Sequence, residues 1–176
     1  MGFPKALLKY RGESFLDTLC ALFATRCDSV IVVLGADAAR IRAAAAHPAL
    51  FVENSEYRRG QTSSLQCGLR AVPADAEGVL FTLVDHPAVA RPTIDALLAA
   101  PRPLVRVPRH QGRRGHPVWF SRDLMPEFLA LPADGAARDV VRRHADQTEF
   151  LDLDDPGIVA DIDDPAAYHA LTGGRL

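Results

Sequence analysis

The sequence predicts an α/β domain with a mainly parallel sheet. Short β-branched runs alternate with helical patterns along all 176 residues, which is typical of successive βαβ units. The two strongest runs, Ser29–Leu34 and Gly78–Val84, are almost continuously apolar, as expected for strands that are covered on both faces. Neither an internal repeat nor a long linker divides the chain, so we expect one domain over residues 1–176.

The remaining strands are predicted from shorter apolar runs between the helical segments. These runs are Leu50–Val52, Leu104–Val107, Pro117–Phe120 and Thr148–Leu153.

The first helix is predicted over Ser14–Arg26, because Ser14-x-x-Asp17 resembles a capping box and the apolar residues that follow recur at helical spacing. A second helix is expected over Ala38–Ala46, with Asp37 as its cap. Further helical patterns follow along the chain: Thr62–Val72, Thr93–Ala100, Ser121–Ala130, Ala136–His144 and Pro165–Leu171.

Composition excludes several classes of protein. The net charge of −2 gives no basis for binding nucleic acid or an anionic membrane surface. No apolar run approaches the roughly 20 residues that span a bilayer, and charged residues interrupt the N-terminal segment where a signal peptide would be apolar. The three cysteines form no C-x-x-C pair, so we expect reduced thiols in a cytoplasmic protein.

The clearest candidate site follows the strongest predicted strand. Asp85 comes directly after that strand and is held by the turn at His86-Pro87. Ligands of open α/β sheets collect beyond the carboxyl ends of the strands, and a carboxylate there can bind Mg²⁺ carried on nucleotide phosphates. The alternative is that Asp85 only caps a turn.

A second candidate site is a polar turn that leads into a helix. Gly60 permits a positive φ, and the next four residues, Gln61–Ser64, place three hydroxyl groups and an amide at a helix N-terminus. Such a helix start can bind a base edge or an anion, although simple capping would need one hydroxyl.

Two clusters of charge complete the candidates. Five arginines lie between Arg102 and Arg114, ahead of Gly115-His116-Pro117, and could contact phosphate or form a solvated loop. Asp161 and Asp163 flank Ile162, so in an extended segment they lie on one side. They could complete a metal site with Asp85 or form a solvated edge. If they form the metal site, the sequence does not show which of the two aspartates is the ligand.

These motifs occur in the order found in the MobA-like nucleotidyltransferases, which the sequence resembles, particularly in the molybdenum cofactor cytidylyltransferase group. The opening Met1-Gly2-Phe3-Pro4-Lys5 is similar to the end of that family's Leu-Ala-Ala-Gly-x-Ser-x-Arg-Met-Gly-x-Pro-Lys motif. The later matches are Asn54…Gly60-x-x-Ser63-Ser64-Leu65, Asp85-x-Pro87, Gly112-Arg113-x-Gly115-His116-Pro117-Val118 and Asp161-Ile162-Asp163.

The resemblance implies a Rossmann-like three-layer sandwich of the nucleotide-diphospho-sugar transferase type. It also implies Mg²⁺-dependent transfer of a nucleoside monophosphate from a triphosphate, with CTP favoured, to a phosphate-bearing acceptor of the molybdopterin type. Lys5 and Asp85 would be catalytic, Asp85 with Asp161 or Asp163 would hold the metal, and a molybdenum enzyme is an expected client. The resemblance further assigns two sets of binding residues, the nucleotide set Lys5, Asn54, Gly60, Ser63 and Ser64, and the acceptor set Arg113, Gly115 and His116.

The sequence begins inside the first motif, so we expect the first strand of the fold and its Gly-rich turn to be absent and the domain to be truncated relative to the family. Three explanations for the absent strand are open. The first is a true start further upstream, and the second is that the chain is a binding or accessory relative in molybdenum enzyme maturation that no longer catalyses. The third is that another chain donates the strand. A sugar-1-phosphate nucleotidyltransferase would need a longer chain than this one.

Overall fold

A computed structural model describes residues 3–132 and 134–173. Helices and strands alternate along the chain, which confirms the α/β class. The elements in chain order are β1 Lys9–Tyr10, β2 Glu13–Ser14, α1 Phe15–Ala24, β3 Ile31–Leu34, α2 Ala38–Ala44, β4 Leu50–Glu53, α3 Gln61–Leu69, β5 Gly78–Phe81, α4 Arg91–Leu97, β6 Val105–His110, β7 Arg113–Arg114, β8 Val118–Ser121, α5 Met125–Leu129, α6 Ala137–Arg143, β9 Thr148–Asp152 and α7 Pro165–Thr172.

In the part of the chain that the structure describes, the strands form three separate hydrogen-bonded units. β1 and β2 make a short antiparallel hairpin, and β3 pairs with β4 in parallel. The largest unit has the order β5-β8-β6-β7, and β9 pairs with β6. The first strand that the resemblance implies would lie beside β3 and β5, and among the described residues no strand pairing joins these two strands.

The sheet is mixed, whereas the sequence predicted a mainly parallel one. β3 with β4 and β6 with β9 are parallel pairs, but β8 runs antiparallel to both β5 and β6. The reversal has a local cause: Gln111 and Gly112 have φ values of 50° and 77°, and this tight turn sends the chain back along β6 as β7. β8 then continues in the reversed direction.

Two predicted helix caps have different outcomes. The Ser14 Oγ accepts the backbone N–H of Asp17 at 2.9 Å, which confirms the predicted start of α1. The predicted cap of α2 was wrong, because Asp37 has a left-handed backbone at φ 57° and its side chain makes no capping hydrogen bond. The Asp17 carboxylate accepts the N–H groups of Ala46 and His47 at 2.8 and 3.1 Å, so this buried residue also fixes the segment after α2.

Apolar packing includes one cluster against the larger sheet and another against the pair β3–β4. α3 and α5 pack against β6 and β8 through a cluster that includes Leu65, Val105, Phe120 and Phe128. α1 packs against β3 and α2 through Leu16, Cys20, Leu34 and Ile41. Among the described residues no helix has the length and apolarity to cross a bilayer.

Buried Arg106 is a polar anchor within this architecture. Its guanidinium pairs with Glu149 on the neighbouring strand at 2.7 Å and donates to four backbone carbonyls, those of Ala96, Leu97, Ala99 and Pro101. The side chain therefore ties the C-terminal end of α4 to the sheet. The hypothesis that the arginines of this stretch contact phosphate does not apply to Arg106, since its donors are already engaged.

Candidate functional site

The candidate site is built around Asp85, four residues beyond the end of β5. Its side chain is only 17% exposed, and its two carboxylate oxygens face different partners. Oδ1 lies 2.9 Å from Nδ1 of His86, and Oδ2 lies 3.7 Å from Nζ of Lys5. Burial alone would raise the pKa of Asp85, but the hydrogen bond and charge of His86 and the charge of Lys5 outweigh it, so the pKa is lowered. Asp85 is therefore an anionic group at neutral pH.

Asp161 and Asp163 meet Asp85 at this place. Buried Ile162 lies between them, and its N–H donates to the backbone carbonyl of Asp85 at 3.1 Å. This bond fixes the extended segment against the end of β5. One carboxylate oxygen from each of the three aspartates lies within 4.8 Å of the others.

The three carboxylates fit a hard divalent cation. Oxygen donors are the ligands that Mg²⁺ and Mn²⁺ prefer, and carboxylates this close repel one another unless a positive charge lies between them. Burial and the charges of Asp85 and Asp163 raise the pKa of Asp161, which is the signature of that repulsion. Both aspartates of the Asp-Ile-Asp segment belong to the cluster, so the structure gives no reason to prefer one of them as the ligand.

Lys5 supplies the positive charge at this cluster. Its ammonium group pairs with Asp163 and lies near Asp85. Burial would lower the pKa of Lys5, but the hydrogen bond to Asp163 and the charges of Asp85, Asp163 and Asp161 outweigh it, so the pKa is raised. Lys5 follows Pro4 and begins a short 3₁₀ helix over Lys5–Leu7, which holds the ammonium at the site.

The polar turn before α3 forms a connected second cluster. Asn54 is buried, and its amide donates to the hydroxyl groups of Ser63 and Ser64 at 2.9 and 3.1 Å. The Ser63 hydroxyl in turn is 2.8 Å from the carbonyl of Gly60, whose φ of 102° requires a glycine. Thr62 donates to the carbonyl of Gly135, which anchors the helix start to the loop before α6.

The predicted acceptor residues occupy three different environments. Arg113 is exposed on the β6–β7 hairpin, opposite His110. Gly115 is buried, and a Cβ there would lie 2.3 Å from the carbonyl oxygen of Ile158, so packing alone requires glycine. Only His116 is placed beside the acidic cluster, because its ring packs against the His86 ring with centroids 5.0 Å apart.

Two histidine rings, those of His86 and His116, pack together beside Asp85, and this contact was not predicted from the sequence. His86 is 6% exposed and connects Asp85 to His116. Burial, followed by the charge of His86, lowers the pKa of His116 from 6.5 to about 4, so His116 is neutral at pH 7. The sequence does indicate that His86 can contact Asp85, since the two residues are adjacent. The contact between His86 and His116 depends on the tertiary fold.

A fold of this type with this site defines a class of nucleotide-transferring proteins. The family model described as the MobA-like NTP transferase domain matches residues 1–148. The chain belongs to this family, as the resemblance implied.

Individual relatives agree with this assignment. The purine catabolism protein PucB of Bacillus subtilis is 27% identical over 179 residues, which cover 96% of this chain and 87% of that protein. The crystal structure of Rv0371c from Mycobacterium tuberculosis is 29% identical, with a TM-score of 0.84 over 98% of this chain and 91% of that one. Rv0371c has also been crystallised as a complex with manganese, in a structure 28% identical with a TM-score of 0.78, covering 98% of this chain and 93% of that one.

A more distant neighbour supports the fold alone. Molybdopterin-guanine dinucleotide biosynthesis protein A from Archaeoglobus fulgidus has a TM-score of 0.69 at 12% identity, over 98% of this chain and 90% of that one. The predicted nucleotide-diphospho-sugar transferase type of fold is therefore confirmed.

Proposed function

We propose that this chain transfers a nucleoside monophosphate from a nucleoside triphosphate, with CTP favoured, to a phosphate-bearing acceptor of the molybdopterin type. The acceptor phosphate would attack the α-phosphorus of the triphosphate, the bond to the β-phosphate would break, and pyrophosphate would leave. The observation that carries the proposal is the meeting of Lys5 with Asp85, Asp161 and Asp163, four residues drawn from distant parts of the chain.

The acidic cluster would hold a divalent cation, with Mg²⁺ proposed as the physiological one. The manganese complex of Rv0371c supports a divalent site in a relative. When bound, the cation would neutralise charge on the phosphate oxygens.

The other groups have positioning and electrostatic roles. Lys5, whose raised pKa keeps it charged at neutral pH, would stabilise negative charge on the α-phosphate and the leaving group. His86 holds one oxygen of Asp85, and the other oxygen is directed toward Lys5. Ser63 and Ser64, oriented by Asn54, would bind the nucleotide beside the start of α3, for which Gly60 provides the turn.

The acceptor side is proposed at the histidine pair and the adjoining hairpin. Neutral His116 can donate one hydrogen bond to an acceptor phosphate or pterin, and exposed Arg113 could contact the phosphate bidentately. Gly115 would contribute through its close packing on Ile158, which positions His116. The expected client for such a product is a molybdenum enzyme, and the proposed location is the cytoplasm.

The direct test is pyrophosphate release. The chain would be incubated with molybdopterin, Mg²⁺ or Mn²⁺, and each of CTP, GTP, ATP and UTP in turn. Release with CTP that depends on both acceptor and metal supports the proposal, whereas preference for another triphosphate would correct the donor. Nucleotide binding without release under all these conditions would contradict transferase activity and favour the accessory role.

A further inference from the structure

Asp155 is a buried acidic residue to which the proposed function assigns no role. Only 6% of the residue is exposed, and both side-chain oxygens accept hydrogen bonds. Oδ2 accepts the hydroxyl of Thr93 at 2.6 Å and the backbone N–H of Ala90 at 2.9 Å, while Oδ1 accepts the backbone N–H of Gly157 at 2.9 Å. The carboxylate therefore joins the start of α4 to a short 3₁₀ helix over Pro156–Val159.

These hydrogen bonds connect two segments that each carry part of the acidic cluster. The Asp85 segment, residues 85–93, begins at Asp85 and ends in the first turn of α4. The Asp161 segment, residues 155–163, begins at Asp155 and ends with the two other aspartates of the cluster. Asp155 lies outside the cluster, so any effect on the site is transmitted through the backbone of its segment.

The two segments run side by side in opposite directions. At one end Asp155 binds the start of α4, and at the other end the N–H of Ile162 donates to the carbonyl of Asp85 at 3.1 Å. Between these bonds the backbones are in close contact, because a Cβ at Gly157 would overlap the carbonyl oxygen of Ala88. The hydrogen bonds at the two ends therefore fix the register of one segment against the other.

The Asp161 segment also supports the histidine side of the site. The carbonyl of Ile158 accepts the backbone N–H of His116 at 2.9 Å. Ile158 is fully buried in an apolar cluster that includes Val89 of the Asp85 segment. A displacement of the Asp161 segment would therefore move the carboxylates and also the imidazole ring that packs on His86.

The end of the Asp161 segment depends on these contacts for its position. Residues 160–163 belong to neither a helix nor a strand, and Asp161 and Asp163 are exposed. Regular secondary structure therefore does not fix their carboxylates. The bond at Ile162 and the anchor at Asp155 hold the backbone on which the two carboxylates lie.

We propose that Asp155 is a positioning residue for the acidic cluster. By binding the start of α4 it sets the register of the Asp161 segment, and so the place at which Asp161 and Asp163 meet Asp85. Groups that orient metal ligands contribute strongly to metal affinity, although they do not touch the metal. The inference rests on the proposed function, because it takes the cluster as the site of a divalent cation.

The main test variant is Asp155→Asn, whose amide directs N–H groups toward donors that the carboxylate accepts. We expect Mn²⁺ to bind roughly 10- to 100-fold more weakly in a titration without nucleotide or acceptor. The amide hydrogen of Ile162 should exchange at least about tenfold faster, since its bond to Asp85 is no longer held in register. Unchanged exchange in β6 would show that the fold is kept.

Thr93 offers a milder pair of variants. Thr93→Val removes the hydroxyl donor and keeps the shape of the side chain, so it should weaken Mn²⁺ binding and speed the exchange of Ile162. Thr93→Ser keeps the donor and should behave as the original chain does. This pair decides the question if Asp155→Asn does not fold.

Val140→Ala is the control for a general loss of stability. Val140 is fully buried in the cluster against the larger sheet, so its truncation should lower the melting temperature. Mn²⁺ affinity and the exchange of Ile162 should stay unchanged in this variant, because Val140 contacts neither segment of the site.

Two results would overturn the proposal. The first is a folded Asp155→Asn or Thr93→Val variant that keeps either the Mn²⁺ affinity or the Ile162 exchange rate of the original chain. The second is an equal loss of Mn²⁺ affinity in Val140→Ala, which would assign the effect to overall stability.

Failure of the proposed function would give a different pattern. A chain that binds Mn²⁺ but releases no pyrophosphate would contradict nucleotidyl transfer and leave the result for Asp155 in place. If the original chain bound no Mn²⁺, the exchange of Ile162 would decide alone: faster exchange in Asp155→Asn supports the positioning role, and unchanged exchange overturns it.

Discussion

The imidazole Nδ1 of His86 lies 2.9 Å from Oδ1 of Asp85, its neighbour in sequence. An ionised carboxylate can only accept hydrogen bonds, so His86 donates through Nδ1–H. The His86 ring is itself held by the His116 ring, which packs against it. The backbone N–H of His116 donates to the backbone carbonyl of Ile158 at 2.9 Å, which fixes the position of His116. The orientation of the central carboxylate is therefore determined by residues that need not contact a nucleotide.

Replacing His86 should lower metal affinity or turnover, although all three carboxylates of the acidic cluster are kept. We expect His86→Phe to lower divalent metal affinity or turnover by roughly 10- to 100-fold, because a carboxylate that loses its supporting hydrogen bond is poorly oriented. His86→Asn should recover part of the loss, since its amide can still donate. Manganese titration and steady-state kinetics measure both effects, and equal losses in the two variants would contradict the positioning role.

Lys5 should have opposite effects on metal binding and on turnover. Its ammonium lies beside Asp85 and Asp163, where it competes with a cation in the absence of nucleotide. We therefore expect Lys5→Met to bind Mn²⁺ more tightly than the original chain, yet to lose roughly 10²- to 10³-fold in turnover because charge on the phosphates is no longer stabilised. Lys5→Arg is the matched control that keeps the charge. A loss of both metal affinity and turnover in Lys5→Met would indicate a structural role instead.

His116 should make the folded chain sensitive to mild acid. Its pKa is 6.5 in its ordinary state and about 4 in the fold, so between these values the unfolded chain binds more protons. This contribution to the free energy of unfolding is complete above pH 6.5 and is lost progressively as the pH falls toward 4. Urea unfolding at several pH values measures the slope, and His116→Asn should have a smaller slope over this range. An unchanged slope would mean that His116 is not the responsible group.

Arg106 should contribute more to stability than the exposed arginines do. Arg106→Met leaves four carbonyls and Glu149 without their donor, so we expect a loss of about 3 kcal/mol or more in the free energy of unfolding. Arg142→Met removes an exposed pair with Asp139 and should cost less than about 1 kcal/mol. Denaturant midpoints compare the two variants, and similar losses would contradict the anchoring role of Arg106.

The elements were predictable from sequence where a periodic pattern coincides with a local signal. The helix after Ser14 and the strand at Gly78 are such cases, because capping chemistry and a continuous apolar run depend on neighbouring residues only. The hairpin over Lys9–Ser14 and the antiparallel direction of β8 were missed. Both depend on turns at positive φ, at Arg11-Gly12 and Gln111-Gly112, that no apolar period reveals.

In the candidate site, too, the residues were predictable from local sequence, whereas their contacts with distant residues were not. Asp85, Asp161 and Asp163 were each identified as candidates from sequence, since each follows or lies in a recognisable strand or extended segment. Their convergence depends on the bond from Ile162 to Asp85, which joins segments 77 residues apart. The role of Arg106 and the contact between His86 and His116 could not be predicted, because the partners lie on different segments of the chain.

Calorimetric titration of CTP into the chain, with and without Mg²⁺, tests the central claim most directly. Asp85→Asn is the test variant, and Asp146→Asn, at an exposed aspartate before β9, is the matched control. The account predicts Mg²⁺-dependent binding that the Asp85 variant loses and the Asp146 variant keeps. CTP binding that depends neither on Mg²⁺ nor on Asp85, or no binding of CTP by the folded chain, would contradict it.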